Sequence, residues 1–87
     1  MKEFIIDLKK IYEKISGPSA KLNDMDKYIA EAIVDAGEGN NVTLTGAAPI
    51  WMYLKIAHAL HGKAKRLLYS APGQEITEFE IFNHDPS

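Results

Sequence analysis

A run of helix length that is apolar on nearly every side constrains this chain more than any other feature. From Ile50 to Leu60 (IWMYLKIAHAL) the only strongly polar residues are Lys55 and His58, and His61 follows at once. A helix apolar almost all round predicts a buried helix. At about a dozen residues it is too short to span a bilayer. The residues before it, Val42 to Thr45, read as a strand that follows the loop-like GEGNN. Between strand and helix lie Gly46, Ala47 and Ala48, a turn free of large side chains. Pro49 then takes the place of a first helical residue, where its fixed φ fits and its missing N–H costs nothing. The helix start leaves N–H groups unpaired and carries a partial positive charge, so it favours an anion such as phosphate. The plainer reading of the same pattern is that Gly46 only permits the bend while Ala47 and Ala48 only pack.

The rest of the chain arranges itself around this unit. In residues 2–15, Phe4, Leu8, Ile11, Tyr12 and Ile15 fall at helical spacing opposite Lys9, Lys10 and Glu13. The run Phe4-Ile5-Ile6 argues for a strand there instead, and the helix is preferred. Ser16 to Lys21 is a loop. Asn23 or Asp24 caps a second helix that runs to about Ala36, with Met25, Tyr28, Ile29, Ala32 and Ile33 inward and Gly37 as its stop. A strand is expected from about Arg66 to Ser70. Another is expected from Ile76 to Phe82, with Phe79 and Ile81 on one face and Glu78 and Glu80 on the other. The order helix, helix, strand, helix, strand, strand predicts an α/β fold. We expect a small Rossmann-like single domain over residues 1–87, with a short, mostly parallel sheet and about three helices. The crossover at 42–70 predicts a parallel, right-handed unit.

An 87-residue chain is one domain with a modest core, so a second copy is the expected supplement and a homodimer the expected state. The absence of cysteine excludes disulfides and thiolate metal sites. A net charge of −2 argues against general binding of duplex DNA. The N-terminus MKEFIIDLKK is interrupted by Glu3 and Asp7, so no secretory leader is read and a cytoplasmic location is expected, away from membranes. Neither a phosphate-binding P-loop nor a nucleophile elbow is present, and Ser70 lacks the flanking motif of a serine hydrolase.

The groups able to carry chemistry are few. His58 and His61 lie near one helix end, where imidazoles can act as acid and base on a phosphodiester or simply answer the helix dipole. His84 and Asp85 could extend them into a metal set suited to Mn²⁺ or Zn²⁺. No metal ligand is assigned, and Mn²⁺ is the cofactor to test. Lys55, Lys63, Lys65 and Arg66 form a local cationic cluster that suits an anionic ligand or serves as solvated linker charge. Trp51 and Tyr69 could stack on a base or fill a core.

The segment GAAPIWMYLKIAHALH, followed by LLYSAP, resembles the Csx-three family of type III CRISPR systems. These are small proteins that bind cyclic tetraadenylate, and some cleave it as ring nucleases. Members carry a Gly-Arg-x-Pro-Ile-Trp turn, an Ala-His and a closing His on the helix, a Tyr-Asp-Pro-Arg strand end and a late His. Gly46, Pro49, Ile50 and Trp51 match the turn. Ala57–His58 and His61 match the helix, Tyr69 the strand end and His84 the late His. Ala47 stands where the family has Arg, Ser70 where it has Asp, and the following Arg is missing. These departures bear on cleavage more than on binding. Asp85 replaces the lost carboxylate only where the tail folds back. The resemblance covers residues 42–84 and implies a CARF-like fold. A related small family of cyclic-oligoadenylate proteins fits the same residues.

The resemblance implies a dimer holding a cyclic oligoadenylate. Gly46, Ala47, Ala48, Pro49, Ile50, Trp51, Lys55, Tyr69 and Ser70 would contact the ligand. His58, His61 and His84 would be catalytic, with a ribose 2′-hydroxyl attacking its own phosphate. Three readings stay open: a ring nuclease, a binding module or sponge that leaves the ring intact, and a structural or protein-interaction domain.

Overall fold

The computed structural model describes residues 2–71 and 78–84. The chain begins with strand β1 (Glu3–Asp7) and helix α1 (Leu8–Ser16). A short 3₁₀ turn (Leu22–Asp24) precedes α2 (Met25–Ala36). Strand β2 (Asn41–Thr45), helix α3 (Ile50–Leu60), and strands β3 (Arg66–Tyr69) and β4 (Phe79–Asn83) complete it. The sheet order is β1-β2-β3-β4, with the first three strands parallel and β4 antiparallel to β3. This is the expected α/β class: a short, mostly parallel sheet with three helices.

The N-terminal segment corrects the preference for a single helix. Phe4-Ile5-Ile6 is a strand, in register with β2 through Phe4↔Val42 and Ile6↔Leu44. Asp7 ends it and caps α1, its Oδ1 accepting the N–H groups of Lys9 at 2.9 Å and Lys10 at 3.3 Å. Both signals in the sequence are thus used in succession. Phe4 leaves the helical stripe, while Leu8, Ile11 and Tyr12 keep it and are buried.

Along the sheet, Phe4, Val42, Leu67 and Phe82 fall in one row. Val42, Leu44 and Leu67 are buried with Met52, Ile56 and Leu60 of α3 and Tyr28 and Ala32 of α2. Tyr28 is completely buried, yet its hydroxyl is satisfied by Ser16 and by the Lys21 N–H at 2.8 Å. Asp24 occupies the cap position of α2 without capping it; its carboxylate accepts from Ser16 Oγ at 2.6 Å.

Three further expectations change. Pro49 is not the first helical residue but the one before it, since its ψ of 150° is extended. Its carbonyl accepts from Met52 at 3.1 Å and Tyr53 at 3.3 Å. Strand β3 ends at Tyr69, and β4 is bulged: Leu68 pairs with Glu80 and Leu67 with Phe82, leaving Ile81 without an opposite number. The expected start of that strand at Ile76 lies outside the described residues. Finally, α3 is not buried all round. Met52, Ile56 and Leu60 are buried, but Ile50 is 77% and Leu54 66% exposed. A four-stranded sheet carries α3 on one side and α2 flanks it, and among the described residues nothing covers its outer side. Among the described residues no helix is long and apolar enough to cross a membrane.

Candidate functional site

The carboxyl ends of β2 and β3 are tied together where the chain bends into α3. Thr45 Oγ1 donates to the Ser70 carbonyl at 2.8 Å, and the Ser70 N–H donates to the Leu44 carbonyl at 2.9 Å. Ligands of open α/β sheets bind at this end. Gly46 turns the chain with φ +107°, and a Cβ there would lie 2.2 Å from Asp7 Oδ1 and 3.0 Å from the Lys9 nitrogen. Only glycine fits. The Gly46 carbonyl accepts from the Tyr53 hydroxyl at 2.6 Å, and the Ala47 carbonyl from the Tyr12 hydroxyl at 3.2 Å. Burial, with Tyr69 and Asp7 adding to it, pushes the Tyr53 hydroxyl up to about 12, so it stays a proton donor.

The expected approach of a ligand to Gly46 is therefore corrected on one side, which Asp7 fills. Ala47 is exposed, and Ala48 and Pro49 are half-buried. Next to them opens a hollow of about 280 Å³ lined by Leu44, Ile50, Tyr53, Leu54, Ala57, Tyr69 and Ile81. Its aromatic wall is ordered: Tyr53 and Tyr69 meet edge to face at 5.2 Å, and Tyr69 meets Phe79 at 5.3 Å. Two helices start at this end of the sheet. The start of α1 is answered by the Asp7 carboxylate, whereas α3 has no side-chain cap. Its first N–H groups are the ones open to an anion.

Of the expected contact residues, Ile50 and Tyr69 line the hollow. Trp51 does not: it is half-buried against the core. At 100° per residue, Lys55 and His58 share its side of α3, away from the hollow, and both are exposed.

The histidines lie elsewhere. His61 follows the last turn of α3, and its Nε2 is 3.1 Å from His84 Nε2. Their rings meet at 4.8 Å and both rest on Phe82, at 5.1 Å and 4.9 Å. His84 is held at the start of β3, its N–H donating to the Lys65 carbonyl at 2.7 Å. In the sequence, helical spacing pairs His58 with His61, whereas the imidazole contact in the structure joins His61 to His84. The bend and the imidazoles are not adjacent, however. They occupy opposite ends of α3, roughly 16 Å apart along its axis at 1.5 Å per residue. A crossover helix runs back along the strands it joins, so its two ends lie at the carboxyl end of β2 and the amino end of β3. Of the expected cationic cluster, Lys63, Lys65 and Arg66 follow the histidine end of α3, with Lys63 paired to Glu38 at 3.4 Å and Arg66 to Glu80 at 2.8 Å, while Lys55 lies in the middle of the helix.

Two Nε2 atoms 3.1 Å apart could take neighbouring positions on a metal ion, where bonds of about 2.1 Å imply separations of ~3.0–3.4 Å. Mn²⁺ prefers oxygen donors. Among the described residues no third His, Asp or Glu joins the pair, and Asp85 lies outside them. The donors among the described residues, two imidazole nitrogens, do not by themselves fit Mn²⁺.

Sequence reasoning missed Leu44, Tyr53, Leu54, Ala57 and Ile81 in the hollow and Asp7 beneath the bend. Tyr53 and Leu54 stand one turn beyond Ile50, a signal that helical spacing offered. Ile81 and Asp7 arrive only through strand pairing. No family model, curated protein or solved structure matches this chain.

Proposed function

We propose that this chain binds a cyclic oligoadenylate, with cyclic tetraadenylate the ring implied by the resemblance over residues 42–84. One observation carries the reading. The apolar hollow walled by Tyr53 and Tyr69 adjoins the uncapped start of α3. A base is a flat apolar body with a polar edge, and aromatic rings suit it. A phosphate next to it suits the free N–H groups of the helix start. A nucleotide needs both features side by side.

Binding without cleavage is the form the geometry favours. The imidazoles stand at the far end of α3, and no described carboxylate joins them. Cleavage is the second reading, favoured by the contact of His61 Nε2 with His84 Nε2 at 3.1 Å. There one imidazole would take the proton of a ribose 2′-hydroxyl as it attacks the adjacent phosphorus. The other would protonate the departing 5′-oxygen, leaving a 2′,3′-cyclic phosphate.

Calorimetric titration with cyclic tetraadenylate, followed by separation of the products with and without Mn²⁺, tests both. Intact ligand retained by the protein is the expected result. Linear product, lost in His61→Ala, selects the nuclease. Absence of binding for rings of every size removes the proposal and leaves an interaction domain.

A further inference from the structure

We infer that the outer edge of β1 takes up an extended segment of a partner protein as an added strand, with a lysine or arginine of that segment set against Asp35. The inference stands apart from the ligand reading, because none of its residues lines the hollow beside α3.

β1 ends the sheet on one side and β4 on the other. A free edge carries a row of unpaired N–H and C=O groups, and proteins spoil such edges with bulges or charges. β4 is spoiled by its bulge at Ile81. β1 is not: its residues pair with β2 in unbroken register, from Glu3↔Asn41 to Asp7↔Thr45. In a parallel pair the peptide groups of alternate residues turn to opposite sides. The Asn41 N–H donates to the Lys2 carbonyl at 2.9 Å, so Lys2, Phe4 and Ile6 turn toward β2. Glu3 and Ile5 therefore turn their N–H and C=O groups to the free edge. Ile5, in the middle of the strand, is 77% exposed.

A hollow of about 740 Å³ runs along this edge. Phe4, Ile5, Ile6 and Asp7 all line it. Successive residues of a strand point to opposite faces, so the hollow lies beside the strand rather than over one face. Its wall on the helix side is charged. Lys10 stands in the first turn of α1, just after the carboxyl end of β1. Asp35 stands in the last turn of α2, at the amino end of β1. There the Asn40 side chain donates to the Ala36 carbonyl at 2.9 Å and accepts from the Lys2 N–H at 3.3 Å. Lys14, one turn beyond Lys10, is committed to Glu31 at 2.6 Å. Asp35, one turn from Glu31, has no ion pair among the described residues. Burial, with Glu31 adding to it and Lys14 opposing, holds the Asp35 carboxyl above its ordinary value. The wall lacks one cation.

These features select the occupant. The outward N–H and C=O groups recur at every second residue, a spacing that an extended backbone matches. The side chains of such a segment alternate. One set enters on the helix side, where a lysine or arginine meets Asp35. The other set lies beside Ile5, where apolar residues fit. A second copy of this chain fits worse. Antiparallel pairing of β1 with itself about Ile5, its central residue, opposes Glu3 to Asp7 twice, and like charges set opposite one another are destabilising.

Fluorescence anisotropy of the full chain with labelled synthetic peptides tests this. The probes are Val-Thr-Val-Lys-Val-Thr-Val, which presents its lysine to the helix side in either strand direction, and the same peptide with glutamate in place of lysine. Saturable binding of the lysine peptide, several-fold tighter than that of the glutamate peptide, is the expected result. Ile5→Pro removes one outward N–H and leaves the ladder to β2 whole. It is expected to abolish binding, with far-UV circular dichroism showing that the chain still folds. Asp35→Lys leaves the strand untouched and is expected to reverse the preference between the two peptides, which keeps the inference testable where the proline variant fails to fold. Failure of both peptides to bind overturns the inference. So does equal binding of the two, or a preference that Asp35→Lys leaves unchanged. A chain that takes no peptide but doubles its 9.7 kDa mass in sedimentation, the doubling lost in Ile5→Pro, overturns it in favour of a second copy.

Discussion

The Tyr53 hydroxyl donates to the Gly46 carbonyl at 2.6 Å, so the helix that begins after the bend holds the bend itself in place. Tyr53→Phe removes that donor and leaves a half-buried carbonyl without its partner. The expected loss is about 1 kcal/mol of stability, read as a lower urea midpoint at unchanged slope. It should also weaken ligand binding, because the bend fixes the start of α3.

The same hydroxyl predicts an alkaline limit. Its pKa rises from 10.0 unfolded to about 12 folded, chiefly through burial. Between these values the native state holds a proton that the unfolded chain has released, so stability falls as pH rises through this window and is untouched below it. Urea denaturation across that range should show the decline in the wild type and a flatter profile in Tyr53→Phe.

Gly46→Ala should be among the costlier single changes at the surface. It places a Cβ 2.2 Å from Asp7 Oδ1 on a backbone with φ +107°. Strain and overlap together are expected to cost about 3 kcal/mol. Pairing it with Asp7→Ala should recover the overlap but not the strain, which a double-mutant cycle of urea midpoints will resolve.

Asp7→Ala alone removes the cap of α1 and should cost about 1 kcal/mol. Asp7→Asn keeps an accepting oxygen and should cost less. A loss of equal size in both would show that the cap at 2.9 Å from the Lys9 N–H is not what Asp7 contributes.

In the core, Leu60→Ala empties a site with no exposure at all, where the last turn of α3 meets the sheet. A loss of about 3 kcal/mol is expected, with the thermal midpoint falling accordingly.

The periodicity of the sequence determined local structure on its own. Ile50 to Leu60 is the helix that its apolar run predicts, Val42 to Thr45 lies within β2, and Gly37 ends α2 with φ +65°. These features depend on neighbours along the chain, which hydrophobic spacing and turn chemistry report directly. Residues 2–15 carried two valid signals, and only pairing with β2 divided them at Asp7. Spacing along α3 placed His58 and His61 near one another, but only the return of β4 chose His84 as the partner of His61. Likewise, a sequence records that α3 is apolar on more than one side; it does not record how many layers will cover it. The tertiary structure decided that no described residue covers one side, and that the bend and the His61–His84 contact lie at opposite ends of α3, because a crossover helix runs back along the strands it joins and carries its two ends to opposite ends of them.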